Sequence, residues 1–197
     1  MRAPVQGVRG DTVPMPPVTT HELEAALGYL CGSPPDGGRV ELVVARPAVG
    51  ERSVLAEGVL DPAVGLVGDS WLERGSRRTP DGAASPLLQL TLMNARVAEL
   101  VAQRRERWPL AGDQLYVDLD LGGTNIPPGT RLQVGTAVVE VTEQPHTGCA
   151  KFADRFGPDA ARFVNSADGR AHNFRGINAH VVSSGVVRAG DVVTKLV

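Results

Sequence analysis

Residues 131–157 read RLQVGTAVVEVTEQPHTGCAKFADRFG. The segments 131–134 and 137–142 predict a pair of strands joined by a two-residue turn. The second strand leads into a loop rich in proline, histidine and glycine, and then into a helical pattern with spacing i, i+3, i+4, i+7. This stretch therefore predicts a β-hairpin, a loop and a short helix in that order. The predicted apolar face of the helix consists of Cys149, Phe152, Ala153 and Phe156.

Short strands separated by turns dominate the rest of the chain. Residues 115–121 show the clearest alternation, which predicts a half-buried strand whose solvent face carries Tyr116, Asp118 and Asp120 without a catalytic role. Helices are predicted after a capping box at Thr19 and Glu22, after Asn94, and over 159–165. The pattern indicates a predominantly β domain, a β-barrel with a few short peripheral helices over 39–197. Residues 1–38 are predicted to be a loosely attached lead-in and a short helix. The further predicted strands are 40–44, 53–60, 89–93, 177–182 and 191–196, with a turn at 168–169 and a hairpin turn at 183–185.

Composition excludes some classes of protein. Hydrophobic residues make up 42% of the chain and the formal net charge is -2, so bulk charge does not indicate nucleic-acid binding. The sequence has no apolar run long enough to span a bilayer and no signal-peptide pattern at its start. The two cysteines form no disulfide or metal-binding pattern. We therefore expect a cytoplasmic protein that does not bind membranes.

Cys149 has two interpretations. Its predicted place at a helix N-terminus, with His146 and Lys151 close in sequence, favours a thiolate that could act as nucleophile or soft metal ligand. Its place on a stripe with two phenylalanines is typical of a buried core cysteine, which the spacing alone favours. The loop before it, with the composition of a backbone that approaches a ligand closely, favours the reactive interpretation.

A polar loop, residues 74–82, is the second candidate site. It carries Arg74, Arg77 and Arg78, whose guanidinium groups suit phosphate oxygens. The alternative interpretation is a solvated surface loop.

Four segments, taken in order, resemble the MOSC domain, named for the C-terminal domain of molybdenum cofactor sulfurase. They are LQLTLM, LDLGGTNIPPGTRLQVGTAVVEVTEQPHTGCAKF, RGINAHVV and VVRAGDVV, and the resemblance to the small stand-alone bacterial type covers residues 40–196. It implies a β-barrel, molybdenum-ion binding through a molybdenum–pterin cofactor, and a metal-ligating or sulfur-accepting role for Cys149. Arg175 matches the family's Arg-Gly-Ile and, with Arg74, Arg77, Arg78 and Lys151, would supply charge to the cofactor's phosphate. His146 would donate to an oxo or phosphate group or shape the loop.

The resemblance implies an oxidoreductase, such as one that removes oxygen from an N-hydroxylated compound, or a sulfur carrier. A separate sulfur donor or reductase protein would then be its partner. Pyridoxal phosphate binding is a further property of sulfurase relatives, but a chain of 197 residues is not expected to hold their cysteine-desulfurase-like domain. The alternative function is a non-catalytic barrel that binds a small anion or a partner protein.

Overall fold

The computed structural model of the protein describes residues 6–7, 15–76 and 79–196. Strands are β1 (Gln6–Gly7), β2 (Gly38–Ala45), β3 (Ser53–Leu55), β4 (Gly58–Asp61), β5 (Gly65–Leu66), β6 (Leu90–Asn94), β7 (Leu115–Asp118), β8 (Arg131–Val134), β9 (Ala137–Pro145), β10 (Ile177–Ser183), β11 (Gly185–Val187) and β12 (Val192–Leu196). Helices are α1 (Thr20–Ala25), α2 (Leu27–Leu30), α3 (Trp71–Arg74), α4 (Ala95–Ala102), α5 (Ala150–Phe156), α6 (Pro158–Val164) and α7 (Ala167–Ala171). Two 3-10 helices span Pro86–Leu88 and Arg105–Ala111.

Seven of these strands close into a barrel. Their order is β2-β12-β8-β9-β10-β6-β7, and pairing of β7 with β2 completes the ring. Among the strand pairs that the structure describes, only β6 and β7 run parallel, because α4 and the following 3-10 helix provide the crossover that a parallel pair needs. The predicted hairpin of β8 and β9 is confirmed, with Val134 opposite Ala137. The fold is therefore the predicted β-barrel with peripheral short helices, although the sheet is mixed.

The barrel is buried on its inside and on part of its outside. One apolar cluster fills the interior, with Leu115, Val117 and Leu119 fully buried. A second cluster lies between the barrel and the helices, and it buries Tyr116, whose hydroxyl donates to the carbonyl of Trp108 at 2.6 Å. The predicted solvent face of this strand is therefore wrong at Tyr116, because the helical layer covers it.

Three predicted elements differ from the structure. Residues 53–60 form two strands, not one, because the chain leaves the barrel sheet after β3 and β4 joins a small sheet with β5 and β11. The segment 183–185 is consequently not a hairpin turn, since β10 and β11 lie in different sheets. Residues around Asp168 form α7 instead of a turn, because the Ser166 hydroxyl accepts from the Gly169 amide and caps a helix.

The N-terminal region is packed where the structure describes it. The Gln103 side chain donates to the carbonyl of Pro16 at 2.8 Å, and Val18 is buried. The predicted capping box at Thr19 and Glu22 is confirmed. Loose attachment is thus wrong for residues 15–18, while the prediction for 1–5 and 8–14 lies outside the described residues.

Candidate functional site

Four contacts hold the end of β9 and the loop that joins it to α5. Pro145 lies opposite Ile177 in the sheet, and the Asn178 side chain donates to the carbonyl of Gln144 at 2.9 Å. The Asn165 amide both accepts from the Gly148 N–H and donates to the Gly148 carbonyl, each at 2.9 Å. This two-point contact fixes the backbone directly before Cys149. Sequence analysis missed Asn165 because the contact crosses from α6.

Cys149 is exposed and is the N-cap residue of α5. Phe152 and Phe156 of the same helix are each 2% exposed and pack in the outer core. The predicted helix is therefore confirmed, and the interpretation of Cys149 as a core cysteine is wrong. The thiol lies outside the apolar face because the N-cap residue has an extended, not a helical, backbone.

A cleft of about 560 Å³ lies beside α5. Its walls include Trp71, Leu88 and the two basic residues Arg74 and Lys151, and we call it the cationic cleft. Partial desolvation and the nearby charge of Arg46 lower the pKa of Arg74. The structure thus brings together two of the predicted cofactor-binding residues. Arg77 and Arg78 lie outside the described residues.

Three further arginines, here called the arginine cluster, surround the turn at Gly112. They are Arg46, Arg52 and Arg155. Arg46 pairs with Asp69 at 2.7 Å and donates to the Gly112 carbonyl, whereas Arg52 and Arg155 donate to the carbonyls of Pro109 and Leu110. Desolvation, followed by the charges of Arg155 and Arg46, lowers the pKa of Arg52. Asp69 supplies the opposite charge to Arg46, and an anion near Arg52 and Arg155 would favour their charged forms as well.

The cluster and the cationic cleft share one helix. Arg155 follows Lys151 by four residues in α5, so both lie on the same face. That spacing is visible in the sequence and could have identified Arg155. Arg46 and Arg52 gave no local signal, because their closeness to α5 depends on the barrel.

Arg175 is in a different environment from the one predicted. It is 5% exposed, pairs with fully buried Asp113 at 2.7 Å, and lies 5.0 Å from the ring centroid of Phe152. The Nδ1 atom of His146 lies 3.5 Å from the other Asp113 oxygen. The structure therefore places Arg175 and His146 on one buried carboxylate. This role of Asp113 gives no local signal in the sequence, because both of its partners come from distant segments.

A second cavity, of about 340 Å³, is lined by residues of the loop that precedes α5. His146 and Thr147 line it, together with apolar side chains and the amides of Asn173 and Asn178. We call it the asparagine cavity. Loop residues just before Cys149 thus face this cavity, and Lys151, just after it, faces the cationic cleft.

Two properties of the described residues bear on metal and membrane binding. Within 15–76 and 79–196, no group of three or more His, Cys, Asp and Glu side chains is arranged to hold a metal ion. A metal at Cys149 would therefore depend on ligands from a cofactor. Among the helices that the structure describes, none is long and apolar enough to cross a membrane.

Fold and site together define a small β-barrel protein with an exposed thiol beside a cationic cleft. The chain belongs to the MOSC domain family, whose model matches residues 89–194, more than half of the sequence. A search of curated protein sequences gives no match.

Solved structures share the fold. YuaD from Bacillus subtilis has a TM-score of 0.58 at 16% identity, covering 80% of this chain and 94% of its own. YiiM from Escherichia coli has a TM-score of 0.52 at 22% identity, covering 81% and 70% of the two chains. At these identities the likeness concerns the fold alone.

Proposed function

We propose that this protein binds a molybdenum–pterin cofactor in the cationic cleft, with Cys149 as molybdenum ligand or sulfur acceptor. The observation that carries the proposal is an exposed cysteine at the N-cap position of α5, the helix whose Lys151 lines a cleft together with Arg74. Thiolate sulfur is a soft ligand suited to such a metal. When bound, the cofactor would supply two-electron redox chemistry.

The chain's own residues fit an anionic cofactor. Lys151 and Arg74 would bind its phosphate, and the arginine cluster would add positive charge from the far end of the same helix. Asn165 holds the loop in place, so that Cys149 stays at the helix start. Pyridoxal phosphate binding stays a prediction from the family alone.

As an oxidoreductase, the protein would reduce an N-hydroxylated compound. The compound takes up two electrons and two protons, its N–O bond breaks, and an amine and water form. A separate reductase protein would supply the electrons. As a sulfur carrier, Cys149 would instead hold a persulfide received from a separate sulfur donor.

Metal analysis after expression in a host that makes the cofactor tests the proposal. We expect molybdenum in the wild type and in the control Cys31→Ser, and its loss in Cys149→Ser, because Cys31 ends α2 whereas Cys149 begins the helix whose Lys151 lines the cleft. Mass spectrometry of Cys149 would detect a persulfide. If the wild type contains neither molybdenum nor a persulfide, Cys149 is neither a molybdenum ligand nor a sulfur acceptor. That result would favour the non-catalytic anion-binding barrel, for which the arginine cluster is the supporting observation.

A further inference from the structure

The asparagine cavity differs chemically from the cationic cleft. Its walls include the apolar side chains of Ile126, Val141, Val164 and Ile177, and its charged residues Glu143 and Arg170 are exposed. A volume of about 340 Å³ suits a small molecule. An ionic ligand would lose its hydration against these walls without a buried opposite charge. The cavity therefore suits an uncharged compound.

Two asparagine amides are fixed in orientation. Asn173 Nδ2 donates to the Leu121 carbonyl at 2.8 Å, and Asn178 Nδ2 donates to the Gln144 carbonyl at 2.9 Å. Because a backbone carbonyl can only accept, these bonds determine which end of each amide is nitrogen. The Oδ1 acceptors are thereby fixed as well. Asn178 is 2% exposed, and Asn173 has a positive φ of 48°, so both are held by the surrounding structure.

We propose that the asparagine cavity binds a small, uncharged substrate that donates N–H or O–H hydrogen bonds to Oδ1 of Asn173 and Asn178. That this compound is a substrate rests on the proposed function, whereas its binding in the cavity does not. The cavity and the cationic cleft meet the chain on the two sides of Cys149, so cofactor and substrate would approach the same loop from separate sides.

Titration of the purified, full-length protein with benzamide, followed by ligand-observed NMR, tests this binding. Benzamide is uncharged and planar and donates through N–H, whereas methyl benzoate has a similar shape and no donor. We expect methyl benzoate to bind about tenfold more weakly, the effect of one or two lost hydrogen bonds. We expect Asn173→Gly, which tolerates the positive φ, to reduce this preference for benzamide.

A substitution at the cavity rim provides the second arm. Gly123 lines the cavity and is exposed, and a Cβ atom at this position would have only the Ala171 carbonyl oxygen nearby, at 3.9 Å. We expect Gly123→Phe to weaken benzamide binding at least about tenfold. Gly28→Phe, at an exposed glycine with open space around it, is the matched control and should bind like the wild type.

Absence of benzamide binding, equal affinity for the two probes, or unchanged binding by a folded Gly123→Phe variant would each overturn the proposal. Asn173→Gly keeps the test decisive if Gly123→Phe does not fold. The benzamide titration needs no cofactor. If the protein binds benzamide but takes up neither molybdenum nor persulfide sulfur, the proposed function is contradicted and the cavity proposal is supported. If molybdenum is found at Cys149 but benzamide does not bind, the proposed function is supported and the cavity proposal is contradicted.

Discussion

The cationic cleft and the asparagine cavity are both lined by residues close to Cys149 in sequence, and the two differ in charge. Lys151 and Arg74 line the cleft, and the arginine cluster lies at the other end of α5. The cavity has apolar walls and two oriented amides. One segment at the end of a barrel strand thus contributes residues to two cavities of different chemistry.

The turn at Gly112-Asp113 contacts both the arginine cluster and the buried Arg175. Gly112 lies against Arg52 and Arg155, while the carboxylate of Asp113 pairs with Arg175 and lies near His146. Gly112 can make this turn because it adopts a positive φ of 94°, where most side chains are strained. The arginine cluster and the buried pair of Arg175 and Asp113 therefore meet at the same turn.

The largest effect is expected from breaking the buried pair of this turn. Arg175→Leu leaves the fully buried Asp113 without its closest cation. We expect a loss of about 3–5 kcal/mol in the free energy of unfolding, the usual cost of an uncompensated buried charge. Urea denaturation monitored by tryptophan fluorescence measures it.

Arg131→Leu is the matched control, because its pair with Glu140 is largely exposed. Exposed pairs contribute little, so this variant should stay close to the wild type. Similar losses in the two variants would show that Arg175 does not act through the buried pair.

Arg175 also shows where sequence analysis reaches its limit. The Arg-Gly-Ile motif reads the same whether its guanidinium faces a ligand or a carboxylate, and Asp113 lies 62 residues away in sequence. The arginine cluster was missed for the same reason, since Arg46 and Arg52 approach Arg155 only after the barrel closes. Contacts between distant segments leave no local pattern.

Local patterns were more informative. The hairpin, the capping box at Thr19 and the start of α5 at Cys149 depend on neighbouring residues, and all three predictions are confirmed. The prediction that Tyr116 lies on a solvent face is wrong. Alternation distinguishes the two faces of a strand, but it does not show whether another layer covers the outer face. Fold class was thus predictable, whereas the partners of each charged side chain were not.

Stabilisation by inorganic phosphate tests whether the positive charge of the arginine cluster binds an anion. If the arginine cluster binds an anion, phosphate at about ten times its Kd should stabilise the wild type by about 1.4 kcal/mol. The double variant Arg52→Gln, Arg155→Gln should lose most of this gain, because it removes two of the cations around Gly112.

Arg39→Gln is the control for that measurement, since Arg39 also donates to a backbone carbonyl, that of Gly190, and carries the same charge. Thermal unfolding at constant ionic strength, with chloride replacing phosphate, separates specific binding from screening. An equal gain in all three proteins would mean that phosphate does not bind at the cluster.

The smallest effect concerns the two cysteines, which are both exposed but have different neighbours. Burial, followed by the charges of Asp120 and Asp168, raises the pKa of Cys31, whereas Cys149 begins the helix that carries Lys151. Since the thiolate is the reactive form, iodoacetamide should modify Cys149 before Cys31 near neutral pH. The difference in rate should shrink as the pH rises and Cys31 ionises. Peptide mass spectrometry on Cys31→Ser and Cys149→Ser measures each thiol alone, and equal rates at every pH would remove the electrostatic distinction between the two sites.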